Sequence, residues 1–182
     1  MSTPSAKMLV MVGERFACIR IIGRATFTSS VDFKMLVDEL RQKGCECFVL
    51  DLGECMLMDS TFLGVLAGLG LKLTPGNGTP VRHGVELVNP SARITDLLET
   101  LGVLDLFKIT QGPLSPVAPD QAVERAPAIA SKAEVTRTCI EAHETLMSLS
   151  PENAARFKDV TQFLAEGLKK AKPEESPHSV QP

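Results

Sequence analysis

Phe48-Val49-Leu50-Asp51-Leu52, then Gly53-Glu54-Cys55-Met56-Leu57-Met58, then Asp59-Ser60-Thr61-Phe62-Leu63-Gly64-Val65-Leu66 is the stretch that decides the fold of this 182-residue chain. The run from Cys47 to Leu52 is apolar without alternation and ends in turn chemistry, the pattern of a strand covered on both faces. After a short crossing, Asp59-Ser60 opens a Leu-rich segment whose apolar residues lie nearly all round, as in a helix that covers a sheet; Pro75-Gly76-Asn77-Gly78 closes it. A buried strand, a short connection and a covering helix form one unit of an α/β architecture.

The flanking sequence repeats that unit. Met8 to Val12 and Phe16 to Ile22 read as two strands joined at Gly13-Glu14-Arg15, the second broken only by Arg20 and followed by Gly23. Ser29 or Ser30 caps a helix with Val31, Met35, Leu36 and Leu40 inside and Gly44 as its stop. Downstream, Val85 to Val88 is a strand, and Asn89-Pro90-Ser91 begins a helix carrying Ile94, Leu97, Leu98 and Leu101 before Gly102. A last strand near Leu106 to Ile109 completes an α/β domain over residues 8–111, with a mixed sheet of about five strands, parallel at its centre, and helices packed on it.

From Gly112 to Ala130 the composition turns to Pro, Ala and Val without a period, which marks a linker. Residues 131–172 then read as a helical hairpin. Ser131 and Glu134 have capping-box spacing, with Val135, Ala142, Leu146 and Leu149 along one side. Ser150-Pro151 starts a second helix striped by Phe157, Val160, Leu164 and Leu168. Such a hairpin alone buries too little apolar area to offset its conformational entropy, so its stripes must lie on the main domain or on a second chain, as in a homodimer. The tail 173–182 reads as disordered.

Composition narrows the function. The formal charge of -3 offers no field for a nucleic-acid backbone, and the absence of Trp and Tyr removes most stacking platforms for bases or sugars. The five cysteines lack paired CxxC spacing; Cys45 and Cys47, at alternate positions, read as same-side packing residues. Neither a secretory signal nor a run long enough to span a membrane is present, so a cytoplasmic location is expected. His83 and His143 lack an i+4 ligand partner and read as surface or partly buried side chains, and no metal or cofactor is expected. Ser60 with His83 and Asp51 or Asp59 has the residue types of a hydrolase, but the Gly-x-Ser-x-Gly elbow is missing, and the chain is not expected to be an enzyme. Gly64, Gly68 and Gly70 read as packing positions, where the absent side chain lets another element sit close.

The chemistry concentrates at Asp59-Ser60. A Ser in the first turn of a helix lies near unpaired backbone N–H groups and the positive end of the dipole, where a phosphate is stabilised. Phosphorylation there adds about -1.5 to -2 charge beside Asp59 and turns an apolar surface anionic, which repels a partner docked on it. A bare helix cap is the alternative, since Asp and Ser favour helix starts in any case.

The pattern Asp51-Leu52, short link, Asp59-Ser60-Thr61-Phe62-Leu63-Gly64 resembles the STAS family, in particular the bacterial anti-sigma-factor antagonists, over roughly Met8 to Thr110, including Gly23 and the Asn89-Pro90 to Asp105 segment. The resemblance implies a partner switch: an anti-sigma factor with serine-kinase activity phosphorylates Ser60, a PP2C-like phosphatase reverses it, and only the unphosphorylated form binds. It places Asp59, Thr61, Phe62, Gly64 and Thr26 at the partner surface. Two positions depart from the family pattern: Phe62 replaces a Gly, and Gly23-Arg24-Ala25-Thr26 lacks its acid. The alternative function is a phosphorylation-independent scaffold or localisation module that assembles through its C-terminal helices.

Overall fold

The computed structural model describes residues 5–74, 84–112, 118 and 120–171. The expected turn at Pro75-Gly78, His83 and the tail 173–182 lie outside the described residues. Strand β1 (Lys7–Val12) turns back at Gly13, whose N–H donates to Phe16 O at 2.8 Å, into the antiparallel β2 (Phe16–Ala25). Parallel to β2 runs β3 (Cys47–Asp51), followed outward by β5 (Val85–Val88) and β6 (Lys108–Thr110). The strand order is β6-β5-β3-β2-β1, with the two-residue β7 (Val123–Glu124) beyond β1, so β3 is central.

The sheet has two more strands than the five expected. Short β4 (Cys55–Met58) lies where a plain crossing was anticipated and pairs in parallel with the far end of β2. This is possible because β2 runs on past Gly23, whose φ of +91° and register shift redirect the last residues away from β3. The other addition, β7 (Val123–Glu124), pairs antiparallel with β1 inside the segment read as a linker.

Alternation along the strands sorts the two faces. Met8, Ala17, Ile19, Ile21, Phe48, Leu50, Val85 and Leu87 are buried on one side, under helices α1 (Phe27–Gln42) and α2 (Ser60–Leu73). On the other side, Leu9, Arg20, Val49 and Glu86 are only half-buried. The expectation that β3 is covered on both faces holds only in part: Phe48 and Leu50 are buried under the helices, whereas on the opposite face Cys47 is exposed, Val49 half-buried and Asp51 buried beside Val88.

Thr26, rather than Ser29 or Ser30, is the N-cap of α1. Both serines lie one turn inside and bond back to the cap: the Thr26 N–H donates to Ser29 Oγ at 3.2 Å, and Ser30 Oγ donates to Thr26 O at 3.0 Å. Helix α3 (Ala92–Thr100) starts as expected on Ser91, whose Oγ accepts from Ile94 N–H at 3.3 Å, and ends at Gly102 with φ +67°.

Beyond β7 the chain stays tied to the domain. Arg125 grips the Glu39 carboxylate through both guanidinium nitrogens at 2.8 and 2.9 Å, its N–H donates to Met8 O, and Ala128 N–H donates to Asp32. The hairpin follows as α4 (Lys132–Leu149), opened by the Ser131/Glu134 capping box, and α5 (Pro151–Lys170), capped by Ser150. It lies on the domain: α4 crosses α2 and α1, and α5 packs along α4.

Candidate functional site

The N-termini of α1 and α2 meet at one corner of the molecule, and Asp59 joins them. Its Oδ1 accepts from Phe62 N–H at 2.8 Å, capping α2, and its Oδ2 accepts from Phe27 N–H at 2.7 Å in the first turn of α1. The Asp59 N–H donates to Ala25 O at 3.0 Å, fixing this residue to the end of β2. Two orphan helix donors thus share one carboxylate, whose charge lies at the positive end of both dipoles.

Ser60 follows as the first residue of α2 and is half-buried. Its Oγ shares a hydrogen bond with His143 Nε2 at 3.0 Å, a residue of α4. His143 is buried, with its ring stacked on Phe157 of α5 at 4.8 Å between centroids and 7° between planes. Burial lowers the His143 pKa below its ordinary value, and the negative charge of Asp59 opposes that in part, so the ring is neutral at neutral pH.

The structure distributes the expected surface residues unevenly. Thr26, Asp59, Ser60 and Thr61 gather at the corner; Thr26 is half-buried and Thr61 buried, with its hydroxyl against the Cys139 thiol of α4. Phe62 points inward, fully buried and stacked on Phe33 at 4.7 Å. Gly64 lies under α4: a Cβ there would sit 2.4 Å from the Ala142 carbonyl oxygen and 2.7 Å from the Ala142 Cβ. Gly70 does the same for the turn at Leu106 and Phe107, where a Cβ would meet side-chain carbons at 3.1 and 3.2 Å. The glycines admit other helices and turns of this chain.

His143 is the residue that sequence reasoning placed at the surface or only partly buried. Its signal was available: Cys139, Ala142, His143 and Leu146 recur at i, i+3, i+4 and i+7, one helix stripe. The Ser60–His143 pair has the first two members of a nucleophile-base-orienter set. The third place is not filled among the described residues: His143 Nδ1 is buried without a hydrogen-bond partner, both Asp59 oxygens accept helix N–H groups, and Asp51 accepts from Gly53 N–H at 3.0 Å. His83 lies outside the described residues.

Among the described residues no group of three His, Cys, Asp or Glu is arranged to hold a metal ion. Cys45 is buried and Cys47 exposed, contrary to the same-side expectation, because β3 starts only at Cys47. No described helix is long and apolar enough to cross a membrane.

A family model described as the STAS domain matches residues 8–114, more than half of the chain. No curated protein matches the sequence. Similar solved structures include a candidate anti-sigma factor antagonist from Thermotoga maritima, with 18% identity, TM-score 0.49, and 57% of this chain and 86% of that one covered. The anti-sigma factor antagonist SpoIIAA in its unphosphorylated form has 17% identity and TM-score 0.46, with 60% and 90% covered. The Bacillus cell fate determinant SpoIIAA in its phosphorylated form has 19% identity and TM-score 0.45, with 57% and 90% covered.

Proposed function

The chain belongs to the STAS domain family, and from that premise we propose that it is a cytoplasmic protein-binding module switched by phosphorylation of Ser60. Unphosphorylated, it binds an anti-sigma factor with serine-kinase activity; phosphorylated, it lets go; a PP2C-like phosphatase resets it. The observation that carries this reading is the Ser60 hydroxyl at the first residue of α2, beside Asp59 and at the meeting point of two helix N-termini. A phosphate there is favoured by the dipoles, while its charge next to Asp59 makes the corner strongly anionic.

Incubation with ATP and candidate serine kinases, followed by phosphopeptide mapping, tests it directly. Ser60 is expected to be the modified residue, Ser60→Ala to abolish labelling and keep binding, and Ser60→Asp to lose the partner. Equal binding by Ser60→Ala and Ser60→Asp, with no phosphate on Ser60, rejects the switch. The second reading, a module that assembles through its C-terminal helices, is favoured by Val160 and Phe163 on α5, which are 41% and 74% exposed. That reading expects a dimer in sedimentation, reduced to monomer by Phe163→Asp.

A further inference from the structure

We infer that the α2 face running from Ser60 to Gly68 is a helix-docking surface whose resident occupant is α4 of the same chain, and that negative charge at Ser60 evicts it. The inference extends the proposed switch, since it names what lies on the surface that Ser60 controls.

The face has the character of a helix receptor. Gly64 allows backbone-level approach by the Ala142 turn; Ser60 supplies a hydroxyl to His143; Thr61 meets Cys139; and Lys34 of α1 forms an ion pair with Glu141 at the margin. An amphipathic helix with a small residue opposite Gly64 and a hydrogen-bonding ring one position on is the ligand that fits, and α4 is such a helix. The seat is incompletely filled: a cleft of about 110 Å³ remains between α1, α2 and α4, bordered by Lys34, Gly68, Lys72 and Thr145.

The latch is sterically exclusive. Ser60 Oγ and His143 Nε2 are already at hydrogen-bond distance, and Phe157 of α5 stacks on the face of the ring. At a separation of 3.0 Å a phosphoryl group on Oγ has no room between them, so α4 moves away. The partner proposed for the unphosphorylated form displaces α4 to reach this face, whereas phosphorylation empties the seat and charges it against that partner.

Peptide-resolved alkylation of Cys139, with amide exchange of β3 and α4, tests this in the full-length chain without any kinase or partner, so the result is independent of whether Ser60 is a physiological phosphoacceptor. Ser60→Asp, and the chain carrying phosphoserine at that position, are expected to alkylate at Cys139 about tenfold faster than wild type while β3 amides stay protected. Gly64→Ala, whose Cβ collides with Ala142, is expected to do the same. An unchanged Cys139 rate in Ser60→Asp overturns the inference. So does loss of β3 protection in step with α4 in the Gly64→Ala chain, which would make the hairpin an inseparable part of the core.

Discussion

The sheet domain and the hairpin that rests on it are held by different kinds of contact. In the domain, Phe33, Phe48, Phe62, Leu50, Leu63, Leu66 and Leu87 are at or near zero exposure and form one continuous apolar cluster. In the hairpin Thr138, Ala142, His143 and Leu146 of α4 and Asn153 and Thr161 of α5 are buried, four of the six polar, and Leu146, with half-buried Leu149 and Phe157, extends the apolar cluster of the domain. Asn153 shows how the attachment works. Its fully buried side-chain amide donates to Leu101 O at the end of α3 and to Leu146 O near the end of α4, both at 2.9 Å, supplying donors for carbonyls left over at two helix C-termini. Dense apolar contact makes a cooperative unit, whereas a few polar clips on a small apolar seam make one that opens at lower cost.

That contrast can be broken from either side. The largest effect belongs to the domain: Phe48→Ala removes a fully buried ring from β3 and is expected to cost about 3–5 kcal/mol of global stability in denaturant titration. A loss under about 1 kcal/mol would mean that the core is looser than its burial implies. In the hairpin, Asn153→Leu leaves two buried carbonyls unpaired at about 1–3 kcal/mol each. Its cost is expected in α4 and α5 exchange, with β3 protection unchanged; a matching loss in β3 would mean that hairpin and domain open as one unit.

Acidification weakens the seat of the hairpin through His143. Burial holds the His143 pKa below the ordinary 6.5, with Asp59 opposing in part. Below pH 6.5 the detached hairpin therefore takes up a proton more readily than the docked one. Docking strength is expected to be fully present above that pH and to decline as pH falls from 6.5 through the lower, docked-state pKa, read as rising α4 exchange. The decline is expected to vanish in His143→Phe. The smallest effect belongs to Lys34→Ala, which deletes the half-exposed ion pair with Glu141 and is expected to cost under about 1 kcal/mol of docking by the same exchange measurement.

Local chemistry made much of the architecture readable. Asp59, Ser91, Ser131 and Ser150 each accept from an N–H of the helix they precede, so side-chain capping announced four helices from single residues and their spacing. The features that escaped are non-local. The four residues of β4 find a partner only because β2 bends at Gly23, and β7 is held to β1 by backbone bonds that two residues in a Pro- and Ala-rich segment do not advertise. At the site, Asp59 as the cap and Ser60 as the first residue of α2 followed from the motif, whereas Thr61, expected at the surface, is buried against Cys139. Phe62 and Gly64 were legible as special positions, but their direction depends on Phe33 and Ala142, distant in sequence. The Ser60–His143 bond spans 83 residues, and no local preference encodes such a contact.

The grip of Arg125 on Glu39 sets a leash. With that residue pinned to α1, only residues 126–131 separate the anchor from the first turn of α4, a reach of about 20 Å when fully stretched. A hairpin lifted off α2 therefore stays near its seat, at an effective concentration on the order of millimolar. Any rival helix in solution meets a resident that returns quickly, so eviction lasts only as long as something, whether charge on a hydroxyl or a tightly bound competitor, keeps the seat closed to it.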